Sequence, residues 1–519
     1  MAVLRAAFCA ALFLLGLAGA AVAQDVTLTS RDGNVEISGN LLGFDGEFYR
    51  VDTIYGELTV DGSGVICEGP GCPNLEDFIA RVTLSGAPTM GRVLLPALIE
   101  AFAIRNSFTV SREDISDTEA IYAISDPETE RVLGEFTFRL SNTDEGFADL
   151  LADEVDMVMA LREARPEELR MAREAGLGDL SSRTGARVIS LDALVPIVAP
   201  SNPVQAISLS ELAQVLSGQI DNWNMLGGPD APIAVHVHNA RTGLGQATED
   251  RLLKPAGVTL LQQVTLHTGG PGLARSVAED PFAIGVTSRS EAGTAWEMAL
   301  QGECGFRLRA DRRSIKTEDY PITSPMFLYL PARRFPKLVR EFLSYLRDPS
   351  AQLVIRRAGF VDQAPEEIPL DQQGDRFANA ISQAGEEISL EELQRMVEFL
   401  KPLKRLTMTF RFESGSTRLD AQSRSNVEQL ARALEVGLYD ARRLVFVGFS
   451  DGDGGAEANL RIAKRRAATV QEAVTSTAET ANLSRIDIGI EAFGEAMPMA
   501  CDDSAWGRQI NRRVEVWVR

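Results

Sequence analysis

The sequence predicts a multidomain α/β protein with a small N-terminal β-module, a two-lobed α/β domain and a C-terminal β-α-β-α-β domain. Three observations support this fold class. Turn dipeptides separate short β-type runs up to about residue 66. From there to about residue 360, β-runs alternate with amphipathic helices, and residues 401–519 contain a further compact set of strands and helices.

The composition is consistent with several folded domains and excludes some partners. The chain has 519 residues, of which 45% are hydrophobic and 24% are charged, so it can bury more than one core. Its formal net charge is -21, from 73 acidic and 52 basic residues. Because this field repels phosphate groups at long range, we expect no binding to nucleic acid or to anionic lipid. Any anion must therefore be bound by local groups.

The N-terminus has the pattern of a signal peptide over residues 1–23. Arg5 precedes an apolar run from Ala6 to Val22, and the small-x-small triplet Ala21-Val22-Ala23 ends it. A membrane anchor is the alternative, but the run is short for a full span and the cleavage triplet is present. We therefore expect cleavage, secretion to the periplasm and a soluble mature chain associated with the cell wall or outer membrane.

Residues 25–79 are predicted to form the β-module. Asp32-Gly33, Asp45-Gly46 and Asp61-Gly62 separate its β-runs, as expected for a series of hairpins. Cys67 and Cys72 enclose a turn-rich loop, Glu-Gly-Pro-Gly, and we expect them to form a disulfide in an oxidising compartment. A two-cysteine metal site is the other interpretation, but no further His or Cys lies nearby.

The remaining boundaries follow from changes in pattern. Residues 80–362 form the predicted two-lobed domain, with a strand at Val195–Val198 and a serine-capped helix at Ser210–Leu216. The stretch 363–400 is predicted to be a linker and a helix, because it starts with polar residues and two prolines. Whether Cys304 and Cys501 pair with each other stays open at this point. In the C-terminal domain, 401–519, the predicted elements are strands Leu406–Phe412, Leu444–Phe449 and Val514–Val518 and helices Val427–Leu434 and Ala458–Val474.

The C-terminal domain carries a specific set of motif elements in a fixed order. They are Gly448-Phe449-Ser450-Asp451, Gly454-Gly455, Asn459, Arg466-Ala467, Gly494-Glu495, Pro498 and Asn511-Arg512-Arg513-Val514-Glu515. In order and spacing these elements resemble the OmpA-like peptidoglycan-binding domain over residues 401–519. The resemblance implies binding to the diaminopimelate stem peptide of peptidoglycan.

The chemistry of that ligand requires one anion and one cation. Diaminopimelate ends in an ammonium beside a carboxylate, so Asp451 can accept hydrogen bonds from the former and Arg466 can bind the latter in a bidentate way. The resemblance implies these same roles and adds Asn459 as a neighbouring polar position. The alternative is that Asp451 is only a turn residue and Arg466 part of a solvated helix face. For Arg512 and the adjacent Arg513, the sequence favours a scaffold salt bridge and a contact in the site equally.

The C-terminal motif also departs from the family pattern at Phe449 and Ser450, where His and Thr are usual. These changes leave the charged pair intact and are expected to alter affinity only.

Three hydroxyl-bearing turns of the central domain each open a helix. Backbone N–H groups are unpaired at a helix N-terminus, where the helix dipole favours anions. The turns are Leu84–Gly91, Ser141–Gly146 and His238–Gly243. Together with Asp156–Arg162, Gly218–Trp223, Asp280–Gly285 and Tyr320–Ile322, they make residues 80–362 similar to phosphate-type periplasmic solute-binding proteins.

This second resemblance implies two lobes with an oxyanion between them. The ligands would be Thr89 with the Met90 N–H, Thr143, and Thr242 with Gly243, assisted by Arg162 or Arg241. It also implies delivery to an ABC transporter or another envelope protein.

Three positions depart from the family pattern. Leu161 and Arg162 stand where high-affinity members have an acidic acceptor for the phosphate proton, so phosphate, sulfate and organic phosphates stay open. Thr242-Gly243-Leu244 replaces Ser-Gly-Thr, and His238 replaces an arginine. A retained fold with a lost or altered ligand is a further interpretation.

Catalytic motifs are not recognisable in the sequence. The chain has three histidines and lacks a nucleophile elbow, a zinc-type His spacing and a P-loop. His236 and His238 lie on the same side of a predicted strand, but two ligands alone do not make a metal site, and a polar cleft or surface role is favoured. We expect no enzyme activity, no cofactor and no metal.

Two hypotheses follow from the sequence. In the first, the protein is a wall-tethered solute-binding protein that captures phosphate or a related oxyanion. In the second, it is an envelope scaffold whose central lobes bind a partner or have lost their ligand.

Overall fold

The computed structural model describes residues 25–74, 78–302, 304, 307–384, 388–413, 416, 418–502 and 504–519. The predicted signal peptide, residues 1–23, lies outside the described residues. Within the described part of the chain, no helix is long and apolar enough to cross a membrane. The chain divides into two compact units. The first contains residues up to Arg81 together with 123–135 and 334–343, and the second contains the rest.

The β-module of the first unit is one antiparallel sheet with strand order β4-β3-β2-β1-β5. Asp45 closes the β2–β3 turn by accepting the N–H groups of Glu47 and Phe48, and forms ion pairs with Arg334 and Arg340. The predicted disulfide between Cys67 and Cys72 is present. The strands are β1 Val26–Ser30, β2 Glu36–Phe44, β3 Phe48–Thr53, β4 Gly56–Asp61 and β5 Val65–Glu68.

The central domain is built on a mixed sheet in the order β14-β13-β15-β11-β19-β10-β6-β9-β8-β7, with β16 also paired to β11. A small separate sheet has the order β12-β17-β18. The strands are β6 Ala80–Gly86, β7 Thr109–Ser116, β8 Glu119–Ser125, β9 Val132–Leu140, β10 Met157–Ala160, β11 Ala186–Val198, β12 Ala206–Ile207, β13 Ala234–His238, β14 Thr265–His267, β15 Ala283–Ser288, β16 Trp296–Glu297, β17 Ala299–Gln301, β18 Arg307–Leu308 and β19 Thr323–Tyr329.

Strand β11 divides this domain into the two predicted lobes. Its first part, up to Ala193, pairs with β19, and its second part, from Leu194, pairs with β15. Lobe 1 is the region around β6, β10 and β19, and lobe 2 comprises the chain from Leu194 to Ile322. The chain returns from lobe 2 to lobe 1 just before Thr323, so two neighbouring segments form the hinge.

Helices cover both faces of the central sheet. They are α1 Leu95–Arg105, α2 Thr143–Leu151, α3 Pro166–Glu174, α4 Leu209–Ser217, α5 Gly243–Thr248, α6 Lys254–Ala256, α7 Gly270–Glu279, α8 Arg312–Lys316, α9 Lys337–Tyr345 and α10 Pro349–Arg357. Helix α4 begins one residue earlier than predicted because its serine cap is Ser208, which forms a capping box with Glu211. Two π-helical turns, Met90–Leu94 and Glu249–Leu253, adjoin α1 and α5.

The C-terminal domain has a five-stranded sheet in the order β20-β21-β24-β22-β23. Its strands are β20 Glu367–Ile368, β21 Lys404–Phe410, β22 Arg443–Phe449, β23 Asp487–Gly494 and β24 Arg513–Val518. Its helices are α11 Gly374–Ser382, α12 Leu390–Leu400, α13 Ala421–Glu435, α14 Ala456–Thr477 and α15 Ala505–Asn511. The predicted β-α-β-α-β core is present, and β23 and α15 add to it.

Both faces of this sheet are covered. Leu430 of α13 and Val470 of α14 share one buried cluster, whereas Met396 and Leu400 of α12 share a second cluster with Trp517 of β24. Residues 363–400, for which the sequence predicts a linker and a helix, supply strand β20 and both helices on the second face. The polar, proline-containing start of this segment is typical of a linker and concealed its role.

The second pair of cysteines is also joined. Cys304 of lobe 2 and Cys501 of the C-terminal domain form a disulfide across 197 residues of sequence.

Candidate functional site

The C-terminal candidate site lies where β22 ends and α14 begins. Strand β22 packs so tightly under α14 that a Cβ on Gly448 would come within 2.1 Å of the Ala463 carbonyl oxygen. Only glycine fits such an approach. The strand then leads through Phe449 and Ser450 to Asp451, which lies near Arg466 on the helix.

Asp451 and two guanidiniums form the charged part of this site. Asp451 Oδ2 accepts a hydrogen bond from Arg512 Nη1 at 2.6 Å, and the Asp451 side chain is 12% exposed. Arg466 forms no ion pair or hydrogen bond with the described residues, and its guanidinium lies 5.7 Å from the centre of the Phe412 ring. Burial and the charge of Arg512 lower the pKa of Arg466, and Asp451 acts in the opposite direction. The site therefore contains one carboxylate and a surplus guanidinium.

The two arginines that the sequence left undecided differ in their surroundings. Arg512 reaches Asp451 and is one-third exposed, so it belongs to the site. Arg513 is fully buried, pairs with Glu515 at 2.7 Å and lies over the Phe449 ring at 4.3 Å. Phe449, a departure from the family pattern, thus packs under a scaffold arginine.

Asn459, which the sequence predicts to be a site residue, lies buried in the wall of the site. Its side-chain amide donates to Glu495 Oε2 at 2.8 Å, and the residue is buried. The hydroxyl of Ser450, which precedes Asp451 in the chain, is buried without a hydrogen-bond partner among the described residues. Asp502 was not identified from the sequence; it accepts the Gly452 N–H at 2.8 Å and an amide hydrogen of Asn511 at 2.9 Å. These contacts fix the loop that follows Asp451.

In the central domain, the structure brings the predicted oxyanion residues together where the lobes meet. Gly86 adopts φ +130°, and a Cβ there would lie 2.1 Å from the Met159 carbonyl oxygen, so the turn toward Thr89 requires glycine. A Cβ on Gly243 would lie 3.4 Å from Leu161 and 3.5 Å from Ala87. Gly243 of lobe 2 therefore lies in van der Waals contact distance of Ala87 and Leu161 of lobe 1.

Direct hydrogen bonds join the two lobes at this position, which we call the seam. The Asn142 side chain donates to the Arg241 carbonyl at 3.0 Å and accepts from the Gln246 amide at 3.0 Å. Neither Asn142 nor Gln246 was identified as a site residue from the sequence. Asparagine is a common N-cap residue. The local sequence therefore does not reveal that Asn142 also bonds across the lobes.

The predicted hydroxyl ligands already have partners within the protein. Thr89 donates to Glu291 at 3.2 Å, and Thr143 accepts the Leu161 N–H at 3.2 Å. Thr242 donates to the Asn239 carbonyl at 2.8 Å and accepts the Gly245 N–H as the N-cap of α5. Met90 and Thr143 are almost completely buried.

Arg162 is not the free cation that the sequence predicts. Its guanidinium binds Glu168 at 2.6 Å and Asp144 at 2.5 Å, and it is 9% exposed. Burial opposes the charged form, but the hydrogen bonds from Glu168 and Asp144 outweigh it and raise the pKa of Arg162. The Arg241 side chain is exposed and has no ion pair with the described residues. Of the two arginines predicted to assist, only Arg241 is therefore available.

Glu291 is a seam residue that sequence reasoning missed. It lies in lobe 2 on the short 3₁₀ helix Arg289–Glu291, and its carboxylate accepts the Thr89 hydroxyl from lobe 1. A Cβ on Gly270, the first residue of α7, would lie 1.8 Å from Glu291 Oε2, so glycine makes room for the carboxylate. Burial, together with nearby Asp192, raises the pKa of Glu291.

The histidines form pairs of hydrogen-bonded polar groups. His236 Nδ1 lies 3.0 Å from His267 Nε2, and His238 Nε2 lies 3.1 Å from the Thr287 hydroxyl. Burial lowers the pKa of His238 to about 4, so this side chain is neutral above pH 5. Among the described residues, no three His, Cys, Asp or Glu side chains are grouped so as to hold a metal ion.

Comparison with known families matches both regions. Residues 75–349 match the model of the PBP superfamily domain, and residues 411–512 match that of the OmpA family. Protein SphX of Synechococcus elongatus is 24% identical over 237 residues, which are 43% of this chain and 68% of that protein. The phosphate-binding protein PstS of Borreliella burgdorferi is 23% identical over 180 residues, 34% of this chain and 64% of that protein.

Among solved structures, an ABC-type phosphate transport receptor from Vibrio cholerae covers 54% of this chain and 99% of its own, with 19% identity and a TM-score of 0.41. The matches to the two sequence relatives leave about a third of each relative uncovered.

Proposed function

The chain belongs to the PBP superfamily, whose domain model matches more than half of its length, and from this we propose that it is a periplasmic binding protein for phosphate or a related oxyanion. We further propose that its OmpA domain tethers it to peptidoglycan. The observation that supports the tether is the guanidinium of Arg466, which has no ion pair or hydrogen bond with the described residues and lies beside the Asp451–Arg512 pair.

The geometry of the C-terminal site fits a ligand that carries both charges. Asp451 can accept from the ammonium of a diaminopimelate stem peptide, while Arg466 and Arg512 offer donors to its carboxylate. Because Arg512 already neutralises Asp451, the site has no uncompensated buried carboxylate before the ligand arrives.

Sedimentation with purified cell-wall sacculi tests the tether. We expect Asp451→Ala to abolish pelleting of the full chain, because the ammonium loses its acceptor and Arg512 its partner. Asp453→Ala, which removes an exposed carboxylate two residues away, should pellet like the parent. Unchanged pelleting of Asp451→Ala would contradict the assignment.

Anion capture in the central domain is supported by three convergent helix N-termini and by the exposed Arg241. Glu291 adds a selectivity element to this proposal. A buried carboxylate accepts a hydrogen bond from the hydroxyl of monoprotonated phosphate but repels fully ionised sulfate. We therefore propose phosphate as the preferred ligand, with delivery to an ABC transporter.

A scaffold function is the second candidate, and one observation favours it. The lobes already bond directly through Asn142, Gln246 and the Thr89–Glu291 pair, and the predicted hydroxyl ligands have internal partners. Calorimetric titration of the full chain with phosphate and with sulfate separates the two candidates. Binding heat with phosphate supports capture, whereas silence with both anions supports the scaffold.

A further inference from the structure

A disulfide and a neighbouring hydrogen bond are among the contacts between the C-terminal domain and lobe 2 of the central domain. The Cys304–Cys501 disulfide joins them covalently. The indole N–H of Trp506, on α15, donates to the Arg251 carbonyl oxygen at 3.0 Å. A cavity of ≈ 270 Å³ lies between these two contacts and is lined by both domains, with Leu300 and Pro255 on one side and Trp506 on the other.

The same domain also contacts lobe 1. Ala421, the first residue of α13, is a member of the buried lobe 1 cluster that contains Phe147 and Tyr329. Its backbone N–H donates to Glu163 Oε1 at 3.1 Å. Because Ala421 lies inside a core cluster rather than on its rim, lobe 1 cannot move away without exposing apolar surface.

A third set of contacts fixes the hinge segment that returns from lobe 2 to lobe 1. Arg405 of β21 binds Asp319 through two hydrogen bonds of 2.6 and 3.0 Å, and both side chains are buried. Arg411 donates to the Glu318 carbonyl oxygen at 2.7 Å. Removing either member of a buried, bidentate ion pair leaves an uncompensated charge, so these contacts resist separation.

We propose that the C-terminal domain restrains the two lobes, so that the seam opens only when its contacts with one lobe are released. Solute-binding domains exchange ligand when their lobes rotate about the hinge strands. A rigid body fastened to lobe 1, to lobe 2 and to the hinge segment opposes that rotation. The covalent contact with lobe 2 makes the largest difference, because it cannot dissociate transiently.

This inference goes beyond the proposed function, since it concerns motion of the protein alone and needs no ligand. It follows that the lobes of the full chain separate slowly.

Hydrogen exchange of the full chain tests the restraint. The Asp144 N–H donates to the Gln246 side-chain oxygen across the seam at 3.4 Å, and the Gln246 amide donates to the Asn142 side chain there, so peptides spanning 142–146 and 241–246 report its opening. We expect the double variant Cys304→Ser/Cys501→Ser to exchange in these peptides at least tenfold faster than the parent, with strands β10 and β15 unchanged. The matched control is Cys67→Ser/Cys72→Ser, which removes the other disulfide and should leave the seam peptides as they are.

Equal exchange at the seam in the parent and the Cys304→Ser/Cys501→Ser chain would overturn the proposal. If that variant unfolds throughout, Trp506→Ala in the disulfide-bonded chain decides the question instead. It removes a noncovalent contact with lobe 2, and we expect a two- to fivefold faster exchange at the seam. No change in this variant would then overturn the restraint.

Discussion

The two candidate sites differ in how their charged groups are partnered. In the C-terminal site, Arg466 has no ion pair with the described residues and lies beside the Asp451–Arg512 pair. At the seam of the central domain, the buried cation Arg162 is held by carboxylates, and the carboxylate of Glu291 accepts the Thr89 hydroxyl and forms no ion pair with the described residues. A charged group can bind a ligand strongly when its own fold leaves it without a partner. The comparison therefore favours strong charge recognition in the C-terminal domain and a weaker, proton-selective site in the central one.

The largest expected effect is on the free energy of unfolding and follows replacement of Arg162. We expect Arg162→Ala to lower the free energy of unfolding by about 3 kcal/mol, because it leaves the largely buried Glu168 without its arginine and takes one of two arginines from Asp144. Phosphate affinity in the folded chain should stay unchanged. Urea unfolding and calorimetry measure the two quantities. Arg165→Ala, at a half-exposed arginine that also pairs with Asp144, should cost under about 1 kcal/mol. An intact fold with a tenfold loss of phosphate affinity would make Arg162 a ligand after all.

The next effect concerns the free guanidinium of the C-terminal site. Arg466→Ala should weaken binding of a diaminopimelate-containing muropeptide about 30-fold, which corresponds to roughly 2 kcal/mol for a charged hydrogen bond. The free energy of unfolding should change by about 0.5 kcal/mol or less, since no described ion pair is lost. Fluorescence anisotropy of a labelled muropeptide gives the affinity. Arg465→Ala, an exposed neighbour on the same helix, serves as the control and should bind normally. A muropeptide affinity equal to that of the parent would remove Arg466 from the site.

A smaller effect is expected on anion selectivity. Glu291→Gln should reduce the preference for phosphate over sulfate about tenfold, roughly 1.4 kcal/mol, because an amide no longer repels sulfate. Burial raises the pKa of Glu291, so the parent takes up a proton here as the pH falls, and its sulfate binding should then improve. Competition calorimetry at two pH values measures both trends. Glu297→Gln changes a second lobe 2 glutamate whose pKa burial also raises, and it should preserve the preference. A parent-like preference in Glu291→Gln would refute the selectivity role.

The smallest expected effect concerns the His238 side chain, which is neutral in the folded protein above pH 5. The pKa of His238 is about 4 in the folded protein and about 6.5 in an unfolded chain. Between these values the unfolded state binds more protons, so stability is lost as the pH falls from 7 toward 4. From pH 7 to 5.5 the loss attributable to His238 should be about 1 kcal/mol. Urea unfolding of His238→Gln beside the parent isolates it. Identical pH dependence in both chains would show that His238 takes up its proton at the same pH in the folded and unfolded states.

The sequence predicted the C-terminal site more completely than the seam of the central domain, and the reason is physical. The Asp451 and Arg466 assignment rests on one strand and the helix that follows it, so the relevant distances are local. The seam depends on contacts between segments that are far apart in the chain, such as Thr89 with Glu291. No periodicity or spacing encodes such a contact.

The same distinction explains the elements that were missed. Strand β23, Asp487–Gly494, has two glycines and two acidic residues, so its pattern is weak, and it forms because β22 offers a parallel partner. The pairing of Cys304 with Cys501 spans 197 residues and becomes evident only when the domains are assembled. The predicted turns Asp32-Gly33 and Asp45-Gly46 do join paired strands, because a hairpin acts within a few residues. Asp61-Gly62 does not, since it leads from β4 to β5, and β5 pairs with β1.

The short strand β20 has a practical consequence for dissecting this protein. Glu367 and Ile368 cover the outer edge of β21, and Arg376 on α11 binds the fully buried Glu515 at 2.5 Å. A fragment cut at residue 401 would expose a bare sheet edge, which invites self-association, and would strip an interior carboxylate of one of its arginines. Fragments made to study the C-terminal domain alone should therefore begin near residue 363.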